Sequence, residues 1–296
     1  MTLVFRPRAV QRRRASKARD HRRAGPFTYL GLLLLLFLSA FPLYWSFVVS
    51  SHDNSALGAY PPVLTPGGNF RDNVHRLFTA DIVNVDFWRA LINSTIVASV
   101  VTVSVVFFSA LAGFAFAKLD FRGRKGLLLV VIATTIVPVQ LGVIPLYIEM
   151  NHFGWINHLQ AVIAPFLVTA FGVFLMRQYI VGSVPNELID AARVDGCHTL
   201  RVFWNVILPA VRPIAAVLGL LTFMNTWNEF FWPLIVLSPH NPTVQVAVST
   251  ISAAAYVPDY ALIMTATFIS ILPLLVVFLV LGKQIIGGIM QGAVKA

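Results

Sequence analysis

Six apolar runs constrain this chain more than any other feature. They cover residues 27–50, 93–117, 127–148, 159–180, 213–237 and 261–281. A run of about 20 apolar residues spans the hydrocarbon core of a bilayer as a helix, where backbone polar groups must be satisfied inside the segment. With a mean hydropathy of +0.78 and only 11% charged residues, a soluble globular chain is excluded. The runs predict an all-α membrane protein with six transmembrane helices. The first, 27–50, is too long for a signal-peptide core and has no small-x-small cleavage site, so it reads as an anchor. Pro138 and Pro145 are expected to kink the third.

Charge sets the expected orientation. Residues 1–26 carry Arg6, Arg8, Arg12, Arg13, Arg14, Lys17, Arg19, Arg22 and Arg23 against one acid, Asp20, and read as a basic cytoplasmic tail attracted to membrane lipid. Residues 51–92, with Pro61, Pro62, Pro66, Gly67 and Gly68, read as an external loop holding a short helix around 86–91. Residues 93–281 form the expected core domain, residues 238–260 an external segment within it, and 282–296 a cytoplasmic C-terminal tail. Every Lys and Arg then falls inside except Arg71, Arg76 and Arg89, and both termini are cytoplasmic. Neither half visibly repeats the other, which weighs against a carrier built on inverted repeats.

Several chemistries are excluded or unsupported. The net charge of +10 lies beside apolar runs and fits topology signalling rather than nucleic-acid binding. Cys197, the single cysteine, allows no internal disulfide. His52, His75, His152, His158 and His240 have no metal-ligand spacing, so no metal site is expected. No phosphate-binding G-x-x-x-x-G-K-[ST] loop occurs, and no nucleophile or acid/base set is recognisable; the chain is not read as an enzyme.

One polar group lies inside an apolar run. Asn225, Trp227, Asn228, Glu229 and Trp232 occupy the fifth, and on a continuous helix Asn225, Asn228, Glu229 and Trp232 share a face. A carboxylate within a span is costly and should face a cavity or a partner. These side chains suit a sugar pathway, with Asn and Glu meeting hydroxyls and Trp stacking on a pyranose, or else packing between helices. Gln140 in the third run is a weaker candidate. The alternative function is an ATP-independent secondary carrier or channel that uses Glu229 as an ion or proton site.

Residues 185–209, PNELIDAARVDGCHTLRVFWNVILP, form a polar island between the fourth and fifth runs. Pro185, Glu187 and Asp190 suit a helix start, and Leu188, Ala191, Ala192 and Asp195 fall on one face of small and apolar groups. Gly196 breaks that helix; Leu200, Phe203, Trp204, Ile207 and Leu208 form an amphipathic second one, which Pro209 and Pro213 are expected to close.

This island resembles the EAA loop of ABC importer permeases. Asp190-Ala191-Ala192 stands in the E-A-A place, Gly196 follows after three residues, and Val206-Ile207-Leu208-Pro209 after nine more. Asp195-Gly196 and the closing Gly292-Ala293-Val294-Lys295 are similar to the carbohydrate, maltose-type branch. The resemblance implies a type I ABC importer transmembrane domain in the bacterial cytoplasmic membrane, translocating a neutral di- or oligosaccharide. It implies a second, related permease subunit, two nucleotide-binding ATPase subunits and an extracytoplasmic sugar-binding protein. ATP and Mg would be bound by the ATPase and no cofactor by this chain. Glu187, Asp190, Ala191, Ala192, Asp195, Gly196, Leu208 and Pro209 would couple the two, and the tail from Gln291 to Ala296 would also reach the ATPase.

Overall fold

A computed structural model describes residues 25–58, 60, 62–79, 85–253 and 258–293. The basic tail therefore lies outside the described residues up to position 24, as do positions 294–296 of the C-terminal tail.

Helix α1 (Pro26–Ser50) opens on a proline, whose missing N–H costs nothing in the first turn. Its leucine-rich first half stands exposed on all sides, as lipid permits, and burial begins at Ser46. Helix α2 (Phe70–Thr79) lies in the first loop. Its buried Asn73 donates through Nδ2 to the carbonyls of Ser50 (3.0 Å) and His52 (2.8 Å), satisfying backbone oxygens at the end of α1.

Helix α3 (Phe87–Lys118) is one span of 32 residues. Asp86 caps it by accepting from the Arg89 N–H at 2.9 Å. The separate short helix expected around 86–91 is instead its first turn, because nothing between Leu91 and Asn93 breaks the chain. The expected third span, 127–148, is divided into α4 (Arg124–Thr134), a 3₁₀ turn (Val139–Gly142) and α5 (Val143–His152). Thr134 and Thr135 hydroxyls donate to the Val131 and Ile132 carbonyls, and Pro138 has no N–H to carry the ladder on. Pro145 sits in the first turn of α5, where it leaves the helix intact.

Helix α6 (Leu159–Ile163) leads through a short turn into α7 (Ala170–Ser183), capped by the Thr169 hydroxyl accepting from the Gly172 N–H. Then come α8 (Asn186–Val194) and α9 (Thr199–Ala210). Pro209 does not close α9: a π turn over Phe203–Ile207 absorbs the lost backbone bond, and the helix runs on to Ala210. Pro213 instead opens α10 (Arg212–Trp227), bent from α9 by 76°. The expected fifth span is thus α10, an interruption at 228–230, and α11 (Phe231–Val236). The segment expected to be an external connection contains α12 (Val244–Ala253), buried at Val244, Val246, Ala247 and Ile251. Helix α13 (Tyr260–Ala293) carries its helix into the expected C-terminal tail.

Among the described residues four helices are long and apolar enough to cross a membrane, and there are five if the bent α9–α10 pair is counted as one span. Helix α3 is central, packing along α7 and α10, while α13 packs along α1 and α10. Two glycines allow the α3–α7 approach. A Cβ on Gly113 would sit 2.7 Å from the Met176 Cβ, and one on Gly172 would strike the Ser109 hydroxyl. At the end of α3 away from α8, Asn93 donates to the Asn241 side chain (2.9 Å) and Asn241 to the Asn157 carbonyl (2.9 Å), tying α3 to two connections.

Candidate functional site

The interruption after α10 has a local cause and places a charge. Glu229 precedes α11 and accepts from the Trp232 N–H at 3.2 Å, satisfying a donor at the start of that short helix. Glu229 also lines two adjoining cavities. The larger, about 490 Å³, lies between Val101 near the middle of α3, Phe166 and Phe171 before and in α7, and a stripe of α10. That stripe is Leu218, Leu221, Thr222, Asn225 and Thr226, with Glu229 following at the same helical spacing. The smaller, about 190 Å³, is bounded by Gln140, Phe166, Glu229, Phe231 and Trp232 among others. A space of this size, apolar with a few convergent polar groups, fits a small ligand. Among the described residues no Lys or Arg lines either cavity.

The structure brings Asn225, Glu229 and Gln140 to these cavities and separates them from two other candidates. Trp227 is buried, stacks on Phe223 at 5.6 Å and donates its indole N–H to the Ser270 carbonyl at 3.0 Å. Asn228 turns back to the Met224 carbonyl and toward Gln245, away from both cavities. Trp232 borders the smaller cavity, but it is 3% exposed and its indole N–H donates to the Ala161 carbonyl. The single face expected for Asn225, Asn228, Glu229 and Trp232 does not form, because the helix ends at Trp227. Thr169, Thr222 and Thr226 line the larger cavity and escaped the sequence reading. The spacing of Thr222, Asn225, Thr226 and Glu229, at i, i+3, i+4 and i+7, was the readable signal.

At one end of the molecule, α8 and α9 form the helix-turn-helix. Gly196 adopts φ +80°, its N–H donates to the Arg193 carbonyl (3.0 Å), and the Cys197 N–H reaches the Ala192 carbonyl (2.9 Å). These two bonds make a Schellman cap, which requires the left-handed conformation that glycine adopts without penalty. Ile189 is buried, whereas Leu188 and Val194 are 52% and 88% exposed. Glu187, Asp190, Ala191, Asp195 and Gly196 share the exposed surface; Ala192 is half-buried against the core. The face expected for Leu188, Ala191, Ala192 and Asp195 is therefore split, with Ala192 turned inward. On α9, Phe203 is buried among the rings of Phe107, Phe114 and Trp204, Leu208 is half-buried and Pro209 exposed. Lys118, the last residue of α3, donates to the Val184 carbonyl and to the Asn186 Oδ1, both at 2.6 Å.

Membrane-length helices around a mid-span cavity, with an exposed helix-turn-helix at one end, define a multi-pass membrane transport subunit. The profile of the binding-protein-dependent transport system inner membrane components matches residues 106–286, and the chain belongs to that family, the permeases of ABC importers in the cytoplasmic membrane. It is similar to the lactose transport system permease LacG of Rhizobium radiobacter, 34% identical over 90% of this chain and 95% of that protein. It is 30% identical to the arabinooligosaccharide transport permease AraQ of Halalkalibacterium halodurans over the same shares. The sn-glycerol-3-phosphate permease UgpE of Escherichia coli (strain K12) is 27% identical, again over 90% of this chain and 95% of that one. A solved bacterial ABC transporter that imports the acidic polysaccharide alginate shares the fold, with TM-score 0.75 and 20% identity, covering 95% of this chain and 99% of that one.

Proposed function

We propose that the chain is the permease subunit of an ATP-driven importer of a neutral di- or oligosaccharide, coupled through α8 and the Gly196 turn to a separate ATPase. The observation that carries it is the exposed, Schellman-capped α8 in the E-A-A position. Its outer groups, Glu187, Asp190, Ala191, Asp195 and Gly196, meet the ATPase; Ala192, Leu208 and Pro209 hold that surface to the spans. Six spans with both termini inside complete the subunit, the divided α4–α5 segment counting as one. A second, related permease encloses the pathway, two nucleotide-binding subunits hold ATP and Mg, and an extracytoplasmic binding protein delivers the sugar. ATP-driven closure of those subunits shifts α8 and rocks the spans, opening the cavity outward.

The neutral cargo rests on two supports. Relatives are named for lactose and arabinooligosaccharides, and the cavities present one carboxylate, Glu229, with threonines and Asn225 but no cation to meet a phosphate. The test is uptake by the complete complex in proteoliposomes. ATP-dependent lactose uptake that sn-glycerol 3-phosphate does not inhibit is the expected result. Ala191→Glu should lose the ATPase subunit on co-purification while keeping the second permease. Uptake that ignores ATP and collapses with a protonophore would overturn the reading in favour of a carrier working through Glu229.

A further inference from the structure

We infer that Lys118 is the positioning residue that fixes the coupling helix to the cavity-lining span α3, so that α8 and α3 move as one body during transport. The inference rests on reading α8 as the ATPase contact. A lysine kept only as a topological charge leaves its ammonium in water. Lys118 is instead a half-buried residue whose ammonium donates at 2.6 Å to both the Val184 carbonyl and the Asn186 Oδ1. Val184 ends α7 and Asn186 begins α8, so one ammonium grips the joint between them. Helix electrostatics pull both ways here, since a cation is favoured at the C-terminal ends of α3 and α7 and opposed at the start of α8, so they do not by themselves explain the bond to Asn186. What the contact achieves is geometric: short charge-assisted bonds hold a fixed separation. A second hold lies on α9, where Phe203 packs against Phe107 and Phe114 of α3. Both helices of the loop are therefore joined to α3, and α3 reaches the larger cavity at Val101.

The test uses the complete complex in proteoliposomes, with Lys118→Met, Lys118→Arg, Asn186→Ala and the Lys118→Met/Asn186→Ala pair. Lys118→Met keeps length and volume but not the donor. It should still co-purify with the ATPase subunit and keep basal ATP hydrolysis within about twofold of wild type. Binding-protein-stimulated hydrolysis and uptake should fall together by about tenfold, and Lys118→Arg should restore most of both. The double variant should be no worse than Lys118→Met alone, as expected when two residues serve one contact. Unchanged uptake in Lys118→Met, or effects that multiply in the double variant, overturns the inference. Loss of the ATPase subunit from Lys118→Met also overturns it, by making the lysine a docking or folding residue. If Ala191→Glu leaves uptake and assembly intact in the same preparation, the reading of α8 itself has failed.

Discussion

Gly196 and Gly113 suit their positions for different reasons, and substitution separates them. Gly196 stands at φ +80° with open space where a Cβ would go, so the obstacle there is backbone conformation alone. An L-residue in the left-handed region costs about 1–2 kcal/mol, less for Asn, whose short polar side chain bonds locally. Gly196→Asn should therefore retain the ATPase subunit nearly as wild type does, and Gly196→Val should lose a clear fraction of it on co-purification. Gly113 has no such strain; its missing side chain lets α3 meet α7, with the Met176 Cβ and the Arg177 nitrogen both inside 3 Å of any added methyl. Overpacking of that kind typically costs about 1–3 kcal/mol. Gly113→Leu should lower the thermal midpoint of the detergent-solubilised complex by several degrees, whereas Gly219→Ala, whose added methyl meets only ordinary contacts with Val106 and Thr102, should barely move it. Equal midpoints would show that the α3–α7 approach is not tight in solution.

At the scale of elements, the interruption between α10 and α11 links the fold to the two cavities. Glu229 accepts from the Trp232 N–H and lines both cavities, so one side chain serves α11 and, on the proposed function, would also meet the cargo. Glu229→Gln keeps an acceptor and removes the charge; Glu229→Leu removes both, and a lost helix-start acceptor costs about 1 kcal/mol. ATP-dependent sugar uptake should stay within about threefold of wild type in the Gln variant and fall further in the Leu variant, alongside a lower thermal midpoint. A Gln variant that abolishes uptake would instead mark the charge as an ion site. The break was hidden in the sequence because Asn225 to Trp232 keeps helical spacing across it; α10 closes with Asn228 donating both its backbone N–H and its side-chain amide to the Met224 carbonyl, a cap that periodicity does not register. By contrast, α8 and the Gly196 turn were legible, since a glycine after an acid-led amphipathic segment is itself the physical cause of the cap. The exposed first half of α1 was legible for a similar reason: a leucine run states its solvent. Trp227 and Trp232 were not, because an indole reads alike whether its N–H meets a sugar or the carbonyls of Ser270 and Ala161.

For the whole molecule, the decisive question is which end of the bundle faces ATP. Lys118, Arg122, Arg124, Lys125, Arg177, Arg193, Arg201 and Arg212 gather toward the end that carries α8. Arg71, Arg76 and Arg89 belong to the other end, where Arg76 is held by Asp259 at 2.7 Å and Arg89 donates to the His240 carbonyl at 3.3 Å. By the positive-inside tendency, that asymmetry predicts α8 on the cytoplasmic side. The chain has a single cysteine, Cys197, so a Cys197→Ser background leaves no native thiol and allows one probe at a time. Thr199 and His240 are both exposed and lie near opposite ends of α3, the first beside the Gly196 turn and the second next to Asn241, which bonds Asn93. In intact spheroplasts a membrane-impermeant maleimide should label His240→Cys at once, and Thr199→Cys only after the membrane is opened. The reverse pattern would put the helix-turn-helix on the outside, where no ATPase could reach it, and coupling through α8 would have to be abandoned together with the role of Lys118.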